Sequence, residues 1–150
     1  MTTFSALPAL VSSVLTRLRG DATLTGMVSG IYDEPPAAPG FPYVVIDDPF
    51  ETPDRTFGQG GRAATLIVSV FTQIPATSKS GSGPVGFTVG LTIAQQVCAL
   101  LTNLIGNPIT VDGFDLVDAD VESVEGFRLT DGKTRRIDVV VSFALEEHLS

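Results

Sequence analysis

The sequence predicts an α+β fold. Two apolar stripes at helical spacing, separated by runs of β-branched residues, and two glycine turns of the hairpin kind in the last third of the chain point to it. The chain has 150 residues, the length of one domain, and can bury roughly 70% of the surface its unfolded form exposes. Residues 1–150 are therefore read as one unit around one core.

Phe4, Leu7, Leu10, Val11, Val14, Leu15 and Leu18 recur every three or four positions, which places an apolar stripe on a first helix ending near Gly20. Asp21 then caps a short second helix through Val28, and Gly30 releases the chain into a brief strand at Ile31 and Tyr32. Residues 33–42, DEPPAAPGFP, hold four prolines and a glycine and form a stiff extended connector that no helix crosses. YVVIDDPFE at 43–51 reads as a strand, stopped or bulged at Pro49. TPDRTFGQGG at 52–61 has turn chemistry. RAATLIVSVFTQI at 62–74 is the longest strand candidate, with Leu66, Val68 and Val70 on one face and Ile67 and Phe71 on the other, so both faces are expected to be partly covered. PATSKSGSGPVG at 75–86 is a Gly/Ser/Pro segment of the flexible kind. From Phe87 to Ile105, the residues Leu91, Ala94, Val97, Cys98, Leu101 and Ile105 define the buried face of a second long helix, ended by Gly106, Asn107 and Pro108.

Two hairpins complete the chain. Asp112-Gly113, between Ile109–Val111 and Phe114–Leu116, has the composition of a type I′ turn. The second hairpin joins strands at about 116–129 and 134–147 around Thr130, Asp131 and Gly132, and its register follows from which pairing keeps one face apolar. A two-residue turn at Asp131-Gly132 would set Glu122 opposite Val141 and Asp120 opposite Phe143. A three-residue loop with Gly132 in the left-handed bulge position sets Val121 against Val141, Ala119 against Phe143 and Val117 against Leu145, and is preferred. The opposite face then carries Asp118, Asp120 and Glu122 beside Ala144, Ser142 and Val140.

Composition excludes many functions. One cysteine, Cys98, rules out a disulfide framework and a cysteine-built zinc site, and a single histidine, His148, weakens metal-histidine and histidine-base mechanisms. Nine basic against 17 acidic residues give a net charge of −8 and a pI near 4.4, which opposes nucleic-acid binding by phosphate neutralisation. No run approaches the ~18 apolar residues of a membrane span, and the first residues lack the basic-then-apolar pattern of a secretory signal, so a soluble, unprocessed chain is expected.

The acidic stripe Asp118, Asp120 and Glu122 has several readings: a solvated strand face, a negative wall facing another subunit or a DNA path, or a metal-dependent acid/base site. A calcium loop needs glycine where Ser123 stands and a bidentate glutamate where Leu129 stands. Carboxylates two apart on a strand point the same way, but catalysis also needs a pocket that splits their pKa values. Gly81-Ser82-Gly83-Pro84-Val85-Gly86 matches G-x-G-x-x-G in letter only, without the βαβ context that dinucleotide binding requires. Gly58-x-Gly60 precedes a strand, the wrong context for phosphate. Cys98 fits a buried structural thiol, and Ser12 and Ser13 lie outside any nucleophile-elbow pattern. Phe57, between Arg55 and Arg62, is the candidate partner contact, since aromatic and arginine side chains anchor interfaces; folding back onto its own domain is the alternative. No cofactor is called for.

The order of these segments resembles a known family. IYDEPP at 31–36, FPYVVID at 41–47, ETPDRTFGQGGR at 51–62, the long strand, IAQQVCALL at 93–101, and the ITVDGF and TDGKTR turns resemble the tail-terminator, or tail-completion, proteins of long-tailed double-stranded DNA phages, prophages and gene transfer agents. The likeness spans nearly the whole chain; GSGPVGFTVG at 81–90 departs from it in length. The resemblance implies an antiparallel or mixed sheet of about four to six strands flanked by two main helices. It implies a non-enzymatic virion protein, a ring expected to hold six copies that caps the tail tube at its head-proximal end, stops its growth and meets the head-closure or connector protein. Other neck or tail proteins, such as a head-closure component or a tube subunit, share such folds. A negative lumen wall at Asp118, Asp120 and Glu122 would keep passing DNA from sticking.

Overall fold

A computed structural model describes residues 5–54, 60–74, 86–102 and 108–147. Three helices, α1 (Leu7–Arg19), α2 (Ala22–Met27) and α3 (Phe87–Thr102), accompany five strands: β1 (Gly30–Tyr32), β2 (Tyr43–Pro53), β3 (Gly61–Gln73), β4 (Phe114–Arg128) and β5 (Thr134–Glu147). The strands form one mixed sheet in the order β1-β2-β3-β5-β4, with β1 parallel to β2 and the other pairs antiparallel.

The helices form where the apolar spacing predicts. α1 has proline in its first turn and Arg17 and Arg19 in its last, where the helix dipole favours cations. Arg19 donates from Nε and Nη2 to the Ile31 carbonyl at 3.0 and 2.7 Å, tying the helix end to β1. Asp21 caps α2 by accepting from the Leu24 amide at 2.9 Å. On α3 the buried residues are Gly90, Ile93, Ala94, Val97 and Leu101; Leu91, expected on that face, is 48% exposed. The reason is close packing. A methyl group on Gly90 would meet Ile137 Cγ1 at 2.9 Å, so the helix lies tight on β5 along its glycine side and turns Leu91 outward.

Pairing sorts the sheet into two faces. Val44 and Ile46, Leu66, Val68 and Val70, and Ile137, Val139, Val141, Phe143 and Leu145 lie side by side across β2, β3 and β5. They join Leu10, Val14 and Leu18 of α1 and Ile93, Val97 and Leu101 of α3 in the core. The helices therefore pack on one side, giving two layers.

Several predicted boundaries change. β2 continues past Pro49, with a register shift between Asp47 and Phe50, and reaches Pro53 rather than turning at Thr52. Asp48 takes φ +43° in this bulge, a left-handed conformation that aspartate tolerates. At 13 residues β3 is shorter than β5, with 14, and β4, with 15. At Asp112-Gly113 only Gly113 has positive φ, so the turn is not type I′, and the pairing around it is a single Val111–Phe114 bridge.

The last hairpin reconciles both registers weighed from the sequence. Next to the turn Arg128 pairs with Arg135, and Leu129 donates to the Thr134 carbonyl at 3.0 Å, the alignment that a two-residue turn would give. Continued unchanged, it would put Glu122 on Val141. Glu122 is instead the extra residue of a bulge, so that Val121 meets Val141 and Ala119 meets Phe143 as predicted. A second bulge at Val117 brings Leu116, and not Val117, opposite Leu145; Val117 is exposed.

Candidate interface surfaces

The sheet face away from the helices is built by register. Tyr43, Val45 and Phe50 of β2 align with Phe71, Ser69 and Thr65 of β3, and these with Arg136, Asp138 and Ser142 of β5. Side chains directly opposite in an antiparallel pair share a face, so Ile67 and Val140 join them. No described helix covers this side, yet much of it is apolar. Ile67 and Phe71 are half-buried, as the two-faced pattern of β3 predicts, while Phe50 is 60% exposed. An aromatic group marks one end: the Tyr43 and Phe71 rings stack at 4.8 Å, and Phe41 lies 5.2 Å from Tyr43. Burial pushes the Tyr43 hydroxyl pKa up.

Polar groups at the centre of this face are partnered. Ser69 Oγ donates to Asp138 Oδ1 at 2.8 Å, and Arg136 Nη2 pairs with Asp138 Oδ2 at 2.8 Å while its guanidinium stacks on Phe127 at 4.8 Å. Arg136 Nε is buried without a hydrogen-bond partner among the described residues. The network keeps charge in a mostly apolar sheet at the cost of one unsatisfied donor.

The acidic stripe continues this same face onto β4, the edge strand. Asp118 and Asp120, opposite Ala144 and Ser142, are exposed, as is Glu122. Glu122 is displaced by its bulge, pairs with no residue of β5, and accepts from Ser142 Oγ at 2.7 Å. No group of three His, Cys, Asp or Glu side chains that could hold a metal occurs among the described residues.

Other sequence candidates are dispersed. Arg55 and Phe57 lie outside the described residues, as do His148 and most of the Gly81–Gly86 run. Arg62 is buried at the start of β3, on the helix side opposite Leu145, where its Nη1 donates to the Gly61 carbonyl at 3.1 Å. Cys98 is half-buried, and burial raises its thiol pKa, which suits an unreactive structural residue. Ser12 and Ser13 line an open cleft of about 440 Å³ between α1 and residues 108–110. There Ser13 Oγ donates to the Thr110 carbonyl at 2.6 Å, a structural bond between α1 and the segment that leads to β4. Phe50 was not singled out from the sequence; its place on the open face follows only from the bulge that precedes it.

Residues 12–146 match the sequence pattern of the family described as tail completion protein gp17. The chain belongs to that family. Members are structural proteins of phage tails and not enzymes, which removes the metal-dependent alternative for Asp118, Asp120 and Glu122. Two solved structures share the fold. A chain from the virion of a native gene transfer agent particle has a TM-score of 0.72 and 24% identity, the match covering 96% of this chain and 99% of that one. The gp17 protein of bacteriophage SPP1 has a TM-score of 0.63 and 23% identity, with 100% and 99% covered. No curated protein sequence matches the chain. Among the described residues the open sheet face and the acidic edge are the surfaces such a tail protein has to offer.

Proposed function

We propose that this protein closes the tail tube as a ring, with six copies as the expected number, stopping tube growth and presenting the surface that meets the head connector at the head-proximal end of the virion. The observation that carries the reading, beside family membership, is the open sheet face. Tyr43, Phe50, Ile67, Phe71 and Val140 form an apolar surface that no described element covers, and a ring buries such a surface between neighbours. Asp118, Asp120 and Glu122 are assigned to the lumen, where their charge repels passing DNA. The segment 55–59 with Arg55 and Phe57, which lies outside the described residues, is assigned to contact with the tube or the head, and Arg62, buried at the start of β3, is left out of that contact.

Deleting the gene and imaging lysates by electron microscopy tests the role. Tails of irregular, excessive length are expected; tails of normal length without heads would reduce the role to joining, and normal virions would defeat both. Neutralising Asp118, Asp120 and Glu122 together is expected to leave the circular dichroism unchanged and slow DNA passage. Unchanged infectivity would remove the lumen assignment.

A further inference from the structure

Among the described residues no strand pairs with the outer edge of β4, and the two halves of that edge differ. From Phe114 to Glu122 it carries both bulges together with Asp115, Asp118, Asp120 and Glu122, the devices that keep an edge from pairing. From Ser123 to Arg128 the pairing with β5 is regular. The helix side of this second half carries exposed Val124, then Gly126 beneath the Phe87 ring, and ends at Arg128, whose guanidinium stacks on that ring at 4.9 Å. Val124 is 44% exposed, and a methyl on Gly126 would meet the Phe87 ring at the start of α3 at 2.8 Å. One turn after Phe87 along the same side of α3 comes Leu91, 48% exposed. On the other side Glu125 is exposed.

We propose that Ser123–Arg128 takes up an extended segment of a different protein as an added strand. In that segment apolar side chains facing Val124 and Leu91 alternate with Lys or Arg, one of them facing Glu125. Backbone hydrogen bonds supply the affinity of such β-addition, and the alternating side chains supply its specificity. Charge selects a basic partner on the open side, where Glu125 is exposed, since Arg136 there is paired with Asp138 and Arg128 and Arg135 are held on the Phe87 ring on the helix side. A second copy does not fit. Its opposite sheet edge is the three-residue β1 and then the stretch of β2 that holds Pro49 and Pro53, which lack N–H donors. Outside α1, no two of its nine basic residues stand two apart with an apolar residue between them.

The test is an NMR titration of the full ¹⁵N-labelled chain with an eight-residue peptide alternating Val and Lys. Amide shifts confined to Ser123–Arg128 and the neighbouring turn of α3 are expected. Val124→Lys, at an exposed site where folding is checked by circular dichroism, should weaken binding at least tenfold. Glu125→Lys should shift the preference toward a Val–Glu peptide. An absence of shifts, equal binding of a Gly–Lys peptide, or shifts spread over Asp112–Asp120 would overturn the proposal. So would concentration-dependent shifts of these amides without peptide, which would give the edge to a second copy. The outcome is independent of the tail phenotype: normal tails on gene deletion would remove the ring reading and leave this edge as it stands.

Discussion

Asp131 accepts from the Lys133 and Thr134 amides at 2.9 and 2.8 Å and from the Thr134 hydroxyl, while Gly132 takes φ +74°. The hydroxyl bond, then the two backbone bonds, hold the Asp131 carboxyl at about 2, below its ordinary 3.8. A folded-state pKa below the unfolded one favours the ionised group in the fold. Its contribution is complete above about pH 4 and fades as the pH falls toward about 2. Thr134→Val removes the largest of these bonds, and the Asp131 carboxyl should then titrate closer to 3.8, as followed by ¹³C NMR; an unchanged midpoint would assign the shift to the amides alone. Gly126 shows the opposite economy, a residue chosen for lacking a side chain. The Phe87 ring above it lies under the Arg128 guanidinium at 4.9 Å and near that of Arg135 at 5.6 Å, so it has little room to yield. Gly126→Ala is expected to cost about 1–3 kcal/mol in urea denaturation.

At the scale of elements, β4 accommodates two demands that a single register cannot meet. The turn holds Leu129 against Thr134, and the core requires Val121 on Val141. The bulge at Glu122 satisfies both, so deleting Glu122 should let the strands pair without it and leave the Tm within a few degrees. Deleting Val140 from β5, which is paired on both sides, should prevent folding, because every residue beyond it would change faces. Thermal unfolding followed by circular dichroism checks both. The sequence reading shared this logic and stopped one step short. Helical spacing located α1 and α3, and the demand for an apolar face found Val121–Val141 and Ala119–Phe143. A single register extended over the whole hairpin misplaces Val117 and leaves Glu122 in line with its neighbours. Bulges leave little local signature, since Val117 and Glu122 alternate as ordinary strand residues do. Pro49 was legible for the contrary reason: a missing N–H marks the interruption of a ladder. Leu91 was misplaced because helical periodicity cannot distinguish a side facing the sheet from one lying beside it; the close approach at Gly90 decides that.

At the scale of the whole molecule, charge and apolar surface act against each other. Copies carrying −8 repel, yet the open face offers Phe50, Ile67 and Val140 for burial. Repulsion between exposed charges is screened over about 10 Å at 0.1 M salt and about 3 Å at 1 M, whereas apolar burial survives screening. Association through this face should therefore strengthen as salt rises, which is the reverse of an assembly held by surface ion pairs. Static light scattering across protein concentration, at about 0.02 M and about 0.5 M salt, is expected to show the midpoint for association falling at least tenfold at the higher salt. Ile67→Glu puts a charge at the middle of the face, at a position half-exposed in the single chain, so its circular dichroism should match the parent while association is lost at both salts. Association that weakens with salt and survives Ile67→Glu would move the contact between copies from the open face to a charged surface elsewhere on the chain.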